Sequence, residues 1–493
     1  MSLNTEQQAL YDKVVSQDFS KLLLLGEAGT GKTYTICKAI SALVREGTSN
    51  LLLCAPTHLA RLNILGKLDA DVQHLVETCT VASLLLKFGV DAEDGSTQFT
   101  AGKIDRVNKY DLIALDECSM ISEQDYLLLM ASKAKILFTG DMAQLPPVMA
   151  RSAEKEMDAH RGKGHLEVFK LVQQMRQQGV IHKAAERNRK SAWFPDDSET
   201  GEGGESIIVH KGEGDLVKEM INRILADSKG YMATHDHRYI TYKNDQVRVR
   251  GKEIRDKVLE NYFGFDASSI PFICGELIMM RENKGNIGFN GELVEITNVR
   301  KDTRSSGYPW DSYELMVKGS LGTGMVRTVP PCQFPAMEVY VEKLQGKLRG
   351  YQIAKKFDDA NIVLSEIKRI KKMWTRTQYP YAITTHKSQG STIENVYLNT
   401  LSFVKSPNKR ALLYVGISRA KTNLHVVKVP DSLKVNGSQV IKEYKQAKDE
   451  YYEVFNSNPS DVIKTLGVPA NTLEGKQIVL GYLQALVADA RQE

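Results

Sequence analysis

Leu22-Leu23-Leu24-Leu25-Gly26-Glu27-Ala28-Gly29-Thr30-Gly31-Lys32-Thr33 joins an apolar run directly to a glycine-punctuated turn ending in Lys-Thr. Gly26, Gly31, Lys32 and Thr33 satisfy G-x-x-x-x-G-K-[ST], the pattern of a loop whose backbone N–H groups surround a triphosphate. In that pattern the lysine serves the outer phosphates and the hydroxyl serves Mg²⁺. Beyond Thr33, Ile36, Ala39, Ile40 and Leu43 recur at helical spacing, which directs the positive end of a helix at the same anion. The stretch therefore predicts a strand, a phosphate loop and a helix. Gly26, Ala28, Gly29, Thr30, Gly31, Lys32 and Thr33 are the expected nucleotide contacts.

Three further apolar runs, Leu51 to Ala55, Leu112 to Leu115 and Ile136 to Thr139, read as buried parallel strands of an α/β lobe. Polar clusters follow each run, at the strand ends where open α/β sheets bind ligands. The adjacent carboxylates Asp116 and Glu117 divide by chemistry: Asp116 joins Thr33 in holding Mg²⁺, and Glu117 takes a proton from the attacking water. Gln144, in Gly140-Asp141-Met142-Ala143-Gln144-Leu145-Pro146-Pro147, carries an amide able to bond both a γ-phosphate and a neighbouring segment, as a sensor of hydrolysis would. Hydroxyls and an imidazole at Thr57, His58, Thr78, Thr80 and Ser83 suit sugar-phosphate contacts, and equally suit helix caps.

The chain as a whole sets broad bounds. Its 493 residues suggest about three domains. Hydrophobic content of 42% and charged content of 25% are those of an ordinary globular protein. A net charge of +5 permits a nucleic-acid partner without demanding one. Six singly scattered cysteines argue against a zinc site or disulfide framework and for a reducing cytoplasm. No signal-peptide pattern or membrane span is expected.

The order of the motifs is more specific than any one of them. GEAGTGKT, APTHLAR, LDECSM and FTGDMAQLPPV, in that succession, resemble the first motor lobe of superfamily 1 DNA helicases. The likeness is to the 5′-to-3′ branch of Dda, RecD and Pif-type enzymes, and to the phage Dda type within it. Leu3-Asn4-Thr5-Glu6-Gln7 is similar to that family's adenine-reading element, which implies a base contact for Gln7. Leu171 to Arg176 resembles the segment carrying an arginine finger, Arg176. Tyr381 to Thr392 resembles the motif coupling DNA contact to ATP, with His386 on the DNA and Gly390 beside the nucleotide. Leu412 to Ala420 resembles the last helicase motif, whose Arg419 is the second finger.

The resemblance implies an α/β fold of two RecA-like P-loop lobes, with a small β-hairpin insertion in the first and an SH3-like β-barrel insertion in the second. The expected boundaries are 1–87 and 109–163 for lobe 1, 88–108 for the pin-like insertion, 164–273 and 379–430 for lobe 2, 274–378 for the SH3-like insertion and 431–493 for a helical extension without assigned role. It further implies ATP and Mg²⁺ as cofactors, single-stranded DNA and forks as partners, and work as a monomer in replication, recombination or repair. Single-strand-binding or replication proteins are possible companions. Thr57, His58, Thr80 and His386 are the expected DNA track, with Phe99 near the pin's tip as a stacking wedge. The basic segment from Lys343 to Arg376, with Tyr351 and Trp374, reads either as a flank of that track or as a solvated face. Two rival readings are a small-molecule kinase and an ATP-hydrolysing remodeller that separates no strands.

Overall fold

The computed structural model describes residues 3–490 other than 88, 92–96, 148–149, 174, 176–178, 228–235, 265, 267, 431–432, 434–436, 456 and 466–472. Two compact units divide it, Met1–Val427 and Lys428–Glu493.

The leucines before the phosphate loop form β1 (Lys21–Gly26), almost entirely buried because helices cover both faces of the sheet. With β2 (Leu51–Ala55), β3 (Glu77–Thr80), β6 (Leu112–Leu115), β7 (Lys135–Gly140) and β8 (Glu167–Leu171), it makes a parallel sheet of order β3-β2-β6-β7-β1-β8. Parallel pairing holds throughout this sheet. β8 pairs with β1 from Leu22↔Glu167 to Gly26↔Leu171, so the first lobe runs past the expected boundary at 163. The reason is that β1 has a free edge that β8 satisfies. Between β3 and β6 a two-stranded ribbon, β4 (Gly89–Asp91) and β5 (Thr97–Phe99), supplies the small insertion.

The second lobe repeats the architecture. β9 (Glu199–Thr200), β10 (Ser206–His210), β11 (His237–Thr241), β17 (Ala382–Thr384), β18 (Ile393–Leu398) and β19 (Ala420–Val427) form a sheet of order β17-β11-β18-β19-β10-β9. All pairs are parallel except β9 with β10. Both lobes are RecA-like α/β layers.

The insertion in lobe 2 is a curled half-barrel rather than a closed barrel. β12 (Leu277–Met280), β13 (Leu293–Asp302), β14 (Ser312–Gly319), β15 (Gly322–Thr328) and β16 (Thr377–Gln378) pair antiparallel in the open order β15-β14-β13-β12-β16. Closure stops because β16 has two residues and a helical pair, Phe334–Ile353 and Phe357–Met373, enters between β15 and β16. Trp374 is only 1% exposed and packs edge-on against Trp310, with centroids 5.3 Å apart. It is core at the base of this pair and unavailable to flank a DNA track. A buried bidentate pair seats the insertion on lobe 2: Arg255, on helix Asn244–Phe263, binds Glu276, with Nη2 to Oε2 at 2.8 Å.

The second unit has helices Gly437–Phe455, Ser460–Thr465 and Leu473–Ala490, joined by a core that includes Ala447, Tyr451, Val479 and Leu483. Among the described residues no helix is long and apolar enough to cross a membrane. All six cysteines are free thiols, four of them buried.

Candidate nucleotide site and a cationic cleft

The phosphate loop leaves β1 and enters helix Lys32–Arg45 through Gly31, whose φ is +85°. The positive φ requires glycine there, and a Cβ, 2.4 Å from Gln7 Nε2, would also displace the Gln7 amide. Gln7 reaches the loop as the third residue of helix Thr5–Ser16, in a capping box with Asn4. Its Nε2 donates to the Thr30 carbonyl at 3.1 Å and its Oε1 accepts from the Asn4 amide at 3.1 Å.

Lys32 folds back over the loop, its Nζ donating to the carbonyls of Gly26 at 2.7 Å and Glu27 at 2.9 Å. Burial pulls its pKa down, against the carboxylates of Asp141, Asp116 and Glu117. Thr33 Oγ1 donates to Asp116 Oδ2 at 3.1 Å. At the next residue the backbone turns left-handed: Glu117 has φ 54° and ψ 44°, a conformation that costs a non-glycine residue about 1–3 kcal/mol. Burial, then the Asp116 charge, push the Glu117 carboxyl up to about 7, while Arg419 and Lys32 oppose the rise.

A cavity of about 390 Å³ joins these groups to the second lobe. Gln7, Ala28, Gly29, Gly31, Lys32 and Thr33 line one side, with Asp116, Glu117 and Gln144 beside them. Gly390 and Arg419 line the other. Gln144 accepts from Gln389 Nε2 at 3.0 Å, a buried bond between lobes. Gly390, with φ +80°, offers its carbonyl to Asn63 Nδ2 at 2.7 Å. Arg419 donates to the carbonyls of Val415 and Ser391, each at 3.1 Å. Thr30 is wholly buried, its hydroxyl on the Glu27 carbonyl. Arg176 lies outside the described residues. Its neighbour Met175 lines the cavity and donates its amide to the Gly29 carbonyl at 3.1 Å.

Two residues not singled out from sequence complete the junction. Tyr414 bonds Asp141 through its hydroxyl and lies 3.4 Å from the Ala28 amide. Arg189 pairs with Asp141 at 3.0 Å and with Glu27 of the loop. Tyr414 falls within the stretch from Leu412 to Ala420, where attention to the hydroxyl could have found it. Arg189 sits among other basic residues and carries no such signal.

A larger cleft, about 1050 Å³, is walled by both lobes and the insertion. Thr57 and His58 come from lobe 1, Arg238, Tyr242, His386 and Lys387 from lobe 2, Arg281 and Phe289 from the insertion. Thr57 also caps helix His58–Leu65, accepting from the Ala60 amide at 3.2 Å. Thr80 is buried, accepts from the Ser83 amide at 3.3 Å and is absent from this lining. Phe99 pairs with Gly89, at the end of the ribbon away from the Asp91↔Thr97 pair, rather than near its tip; its side chain lies outside the described residues.

Lys387 Nζ and Arg238 Nη1 are buried without a hydrogen-bond partner. Burial pulls Lys387 down to about 7, helped by the nearby Arg281 charge, and Arg238 down to about 10. Burial also lowers His386 and Arg281. Glu292 is the carboxylate on this wall, too little to balance the cations. Burial makes Lys387 and His386 easy to neutralise, and a polyanion in the cleft would favour their charged forms and join the charge of Arg238 and Arg281.

Residues 2–194 match the AAA domain family model, and residues 379–427 match the UvrD-like helicase C-terminal domain. An uncharacterized protein of Acanthamoeba polyphaga mimivirus is 25% identical over 504 residues, spanning 85% of this chain and 99% of its own length. The ATP-dependent DNA helicase Dda of Enterobacteria phage T4 is 23% identical over 454 residues, spanning 84% of this chain and 96% of its own. The crystal structure of Bacteroides Pif1 bound to ssDNA covers 91% of this chain and 98% of its own, with 15% identity and a TM-score of 0.45. The segment similar to an AAA domain holds the phosphate loop and the segment similar to a UvrD-like helicase C-terminal domain holds Gly390 and Arg419, so the chain carries a P-loop and is similar, at low identity, to ATP-dependent helicases such as Dda.

Proposed function

We propose that this chain is an ATP-dependent DNA helicase that moves along single-stranded DNA, 5′ to 3′, and unwinds duplexes ahead of it. One observation carries the reading: a single short segment borders both clefts. His386 and Lys387 line the cationic cleft, while Gly390 lines the nucleotide cavity and Gln389 bonds Gln144 beside it. A change at the γ-phosphate is thereby transmitted to a strand held a few residues away. Direction is taken from the branch that the motifs resemble.

In this reading Lys32 leaves its loop carbonyls for the outer phosphates. Thr33 Oγ1 and Asp116 Oδ2, hard oxygen donors 3.1 Å apart, suit Mg²⁺. The metal, when bound, neutralises charge on the phosphate oxygens. Glu117 accepts the proton of the attacking water, Gln144 senses the γ-phosphate, and Arg419 with Arg176 offsets transition-state charge. Gln7 reads adenine after leaving Thr30. Both finger arginines belong to one chain, so a monomer suffices. Single-strand-binding or replication proteins are natural companions on the displaced strand.

The test is ATP-dependent unwinding of duplexes bearing a 5′ or a 3′ single-stranded tail, with Lys32→Ala as control. Unwinding from the 5′ tail by the wild type alone is expected. Unwinding only from the 3′ tail overturns the direction, and unwinding by the lysine variant overturns the mechanism. DNA-stimulated hydrolysis without unwinding of any fork identifies a remodeller instead. Binding to single strands should weaken with salt, with a log-log slope of about −0.7 per phosphate contacted.

A further inference from the structure

Phe289 reaches from the insertion to lobe 1 across the cationic cleft. Its ring stacks on the His58 imidazole, with centroids 4.7 Å apart and planes 13° from parallel. The Arg61 guanidinium stands 4.5 Å from the centre of the same ring. His58 and Arg61 both lie on helix His58–Leu65. The turn that presents Phe289 is held firmly: its amide donates to Glu292 Oε2 at 2.9 Å, and the Asn290 amide donates to Asn283 Oδ1 at 2.9 Å. Asn283 also reaches lobe 1, Nδ2 meeting His58 Nε2 at 3.1 Å. With Nε2 accepting from that amide, the imidazole proton resides on Nδ1.

The arrangement is apolar in its contact and unsatisfied at its margin. His58 Nδ1 and Arg61 Nε are buried with no hydrogen-bond partner. Each such orphan destabilises the strand-free arrangement. An aromatic ring on an imidazole beside a guanidinium is also how proteins hold an unpaired base. A base differs from phenylalanine in bringing polar edges and a phosphate, which would answer the two orphans.

We propose that His58 and Arg61 form a subsite for one nucleobase of a single strand, and that Phe289 fills it in the strand-free protein as a base surrogate. Phe289 then also closes the cleft between lobe 1 and the insertion, and entry of a strand exchanges the phenyl ring for a base. This rests on the reading of the cleft as a single-strand channel. The two ideas fail differently.

The experiment compares full-length wild type with Phe289→Ala and His58→Ala, using fluorescein-labelled oligo(dT) in equilibrium anisotropy and stopped-flow association. Melting temperature and ATP binding verify that each variant is folded. Removing the surrogate should speed association and lower the Kd about three- to tenfold, the worth of one aromatic pair. Removing the platform should also speed association but raise the Kd. Weaker or unchanged binding by Phe289→Ala, with wild-type binding intact, overturns the surrogate. Absence of binding by both wild type and Phe289→Ala at low salt overturns the channel itself, and the surrogate with it.

Discussion

Glu117 concentrates the chemistry of the nucleotide site in one side chain. Its backbone is left-handed directly after Asp116, and burial with that neighbouring charge lifts its pKa to about 7. A carboxylate must be ionised to accept a proton, so the sign is set: hydrolysis should fall as pH drops below about 7 and level off above it. The pH profile of DNA-stimulated ATPase checks this, and a profile flat from pH 6 to 8 would contradict it. Glu117→Gln should bind ATP normally yet hydrolyse it about 10²–10⁴-fold more slowly, the usual loss for a general base. Near-normal turnover in that variant removes Glu117 from the role.

At the scale of elements, the seam between helix Asn244–Phe263 and the half-barrel depends on one ion pair. Arg255 is 1% and Glu276 2% exposed, Arg255 also donates to the Ile270 carbonyl at 2.9 Å and lies 4.7 Å from the Tyr379 ring centre. Glu276→Ala leaves the buried guanidinium with only the more distant carboxylate of Asp256, at 3.4 Å, and should destabilise the chain by up to about 3 kcal/mol. Replacing both partners with apolar residues of similar volume should recover most of that loss. Denaturant unfolding of the single and double variants measures it; equal loss in both would mean that packing, not charge, holds the seam.

Across the whole molecule, the lobes meet through several bonds beside the nucleotide cavity. The amide pair Gln144–Gln389 is buried at 3.0 Å, next to the Asn63–Gly390 contact and the Tyr414–Asp141 bond. If nucleotide and strand are coupled through the first of these, Gln144→Ala and Gln389→Ala should each reduce stimulation of ATPase by DNA. The double variant should be little worse than either, a coupling of about 0.5–3 kcal/mol. Additive losses in the cycle would show that the two amides act separately. Basal ATPase read alongside separates lost coupling from lost catalysis.

Local sequence was sufficient wherever backbone and side chain serve the same short stretch. The leucines before Gly26, the glycines of the loop and the helical spacing after Thr33 specify β1, the turn and helix Lys32–Arg45 without help from elsewhere, because strand burial, positive φ and helix periodicity are each written in adjacent residues. The resemblance carried by the order of motifs likewise indicated two α/β lobes. Tertiary structure alone decided what depends on distant segments meeting. β8 extends the first sheet because β1 has an unpaired edge, Trp374 is core because Tyr308 and Trp310 arrive from elsewhere, and Thr80 is buried by its surroundings. Lys387 Nζ and Arg238 Nη1 stand out only once the folded molecule buries them without hydrogen-bond partners, and Phe289 meets His58 across 231 positions of chain only in the folded molecule. Charge, exposure and stacking are properties of an environment, and sequence spacing does not encode an environment assembled from separate lobes.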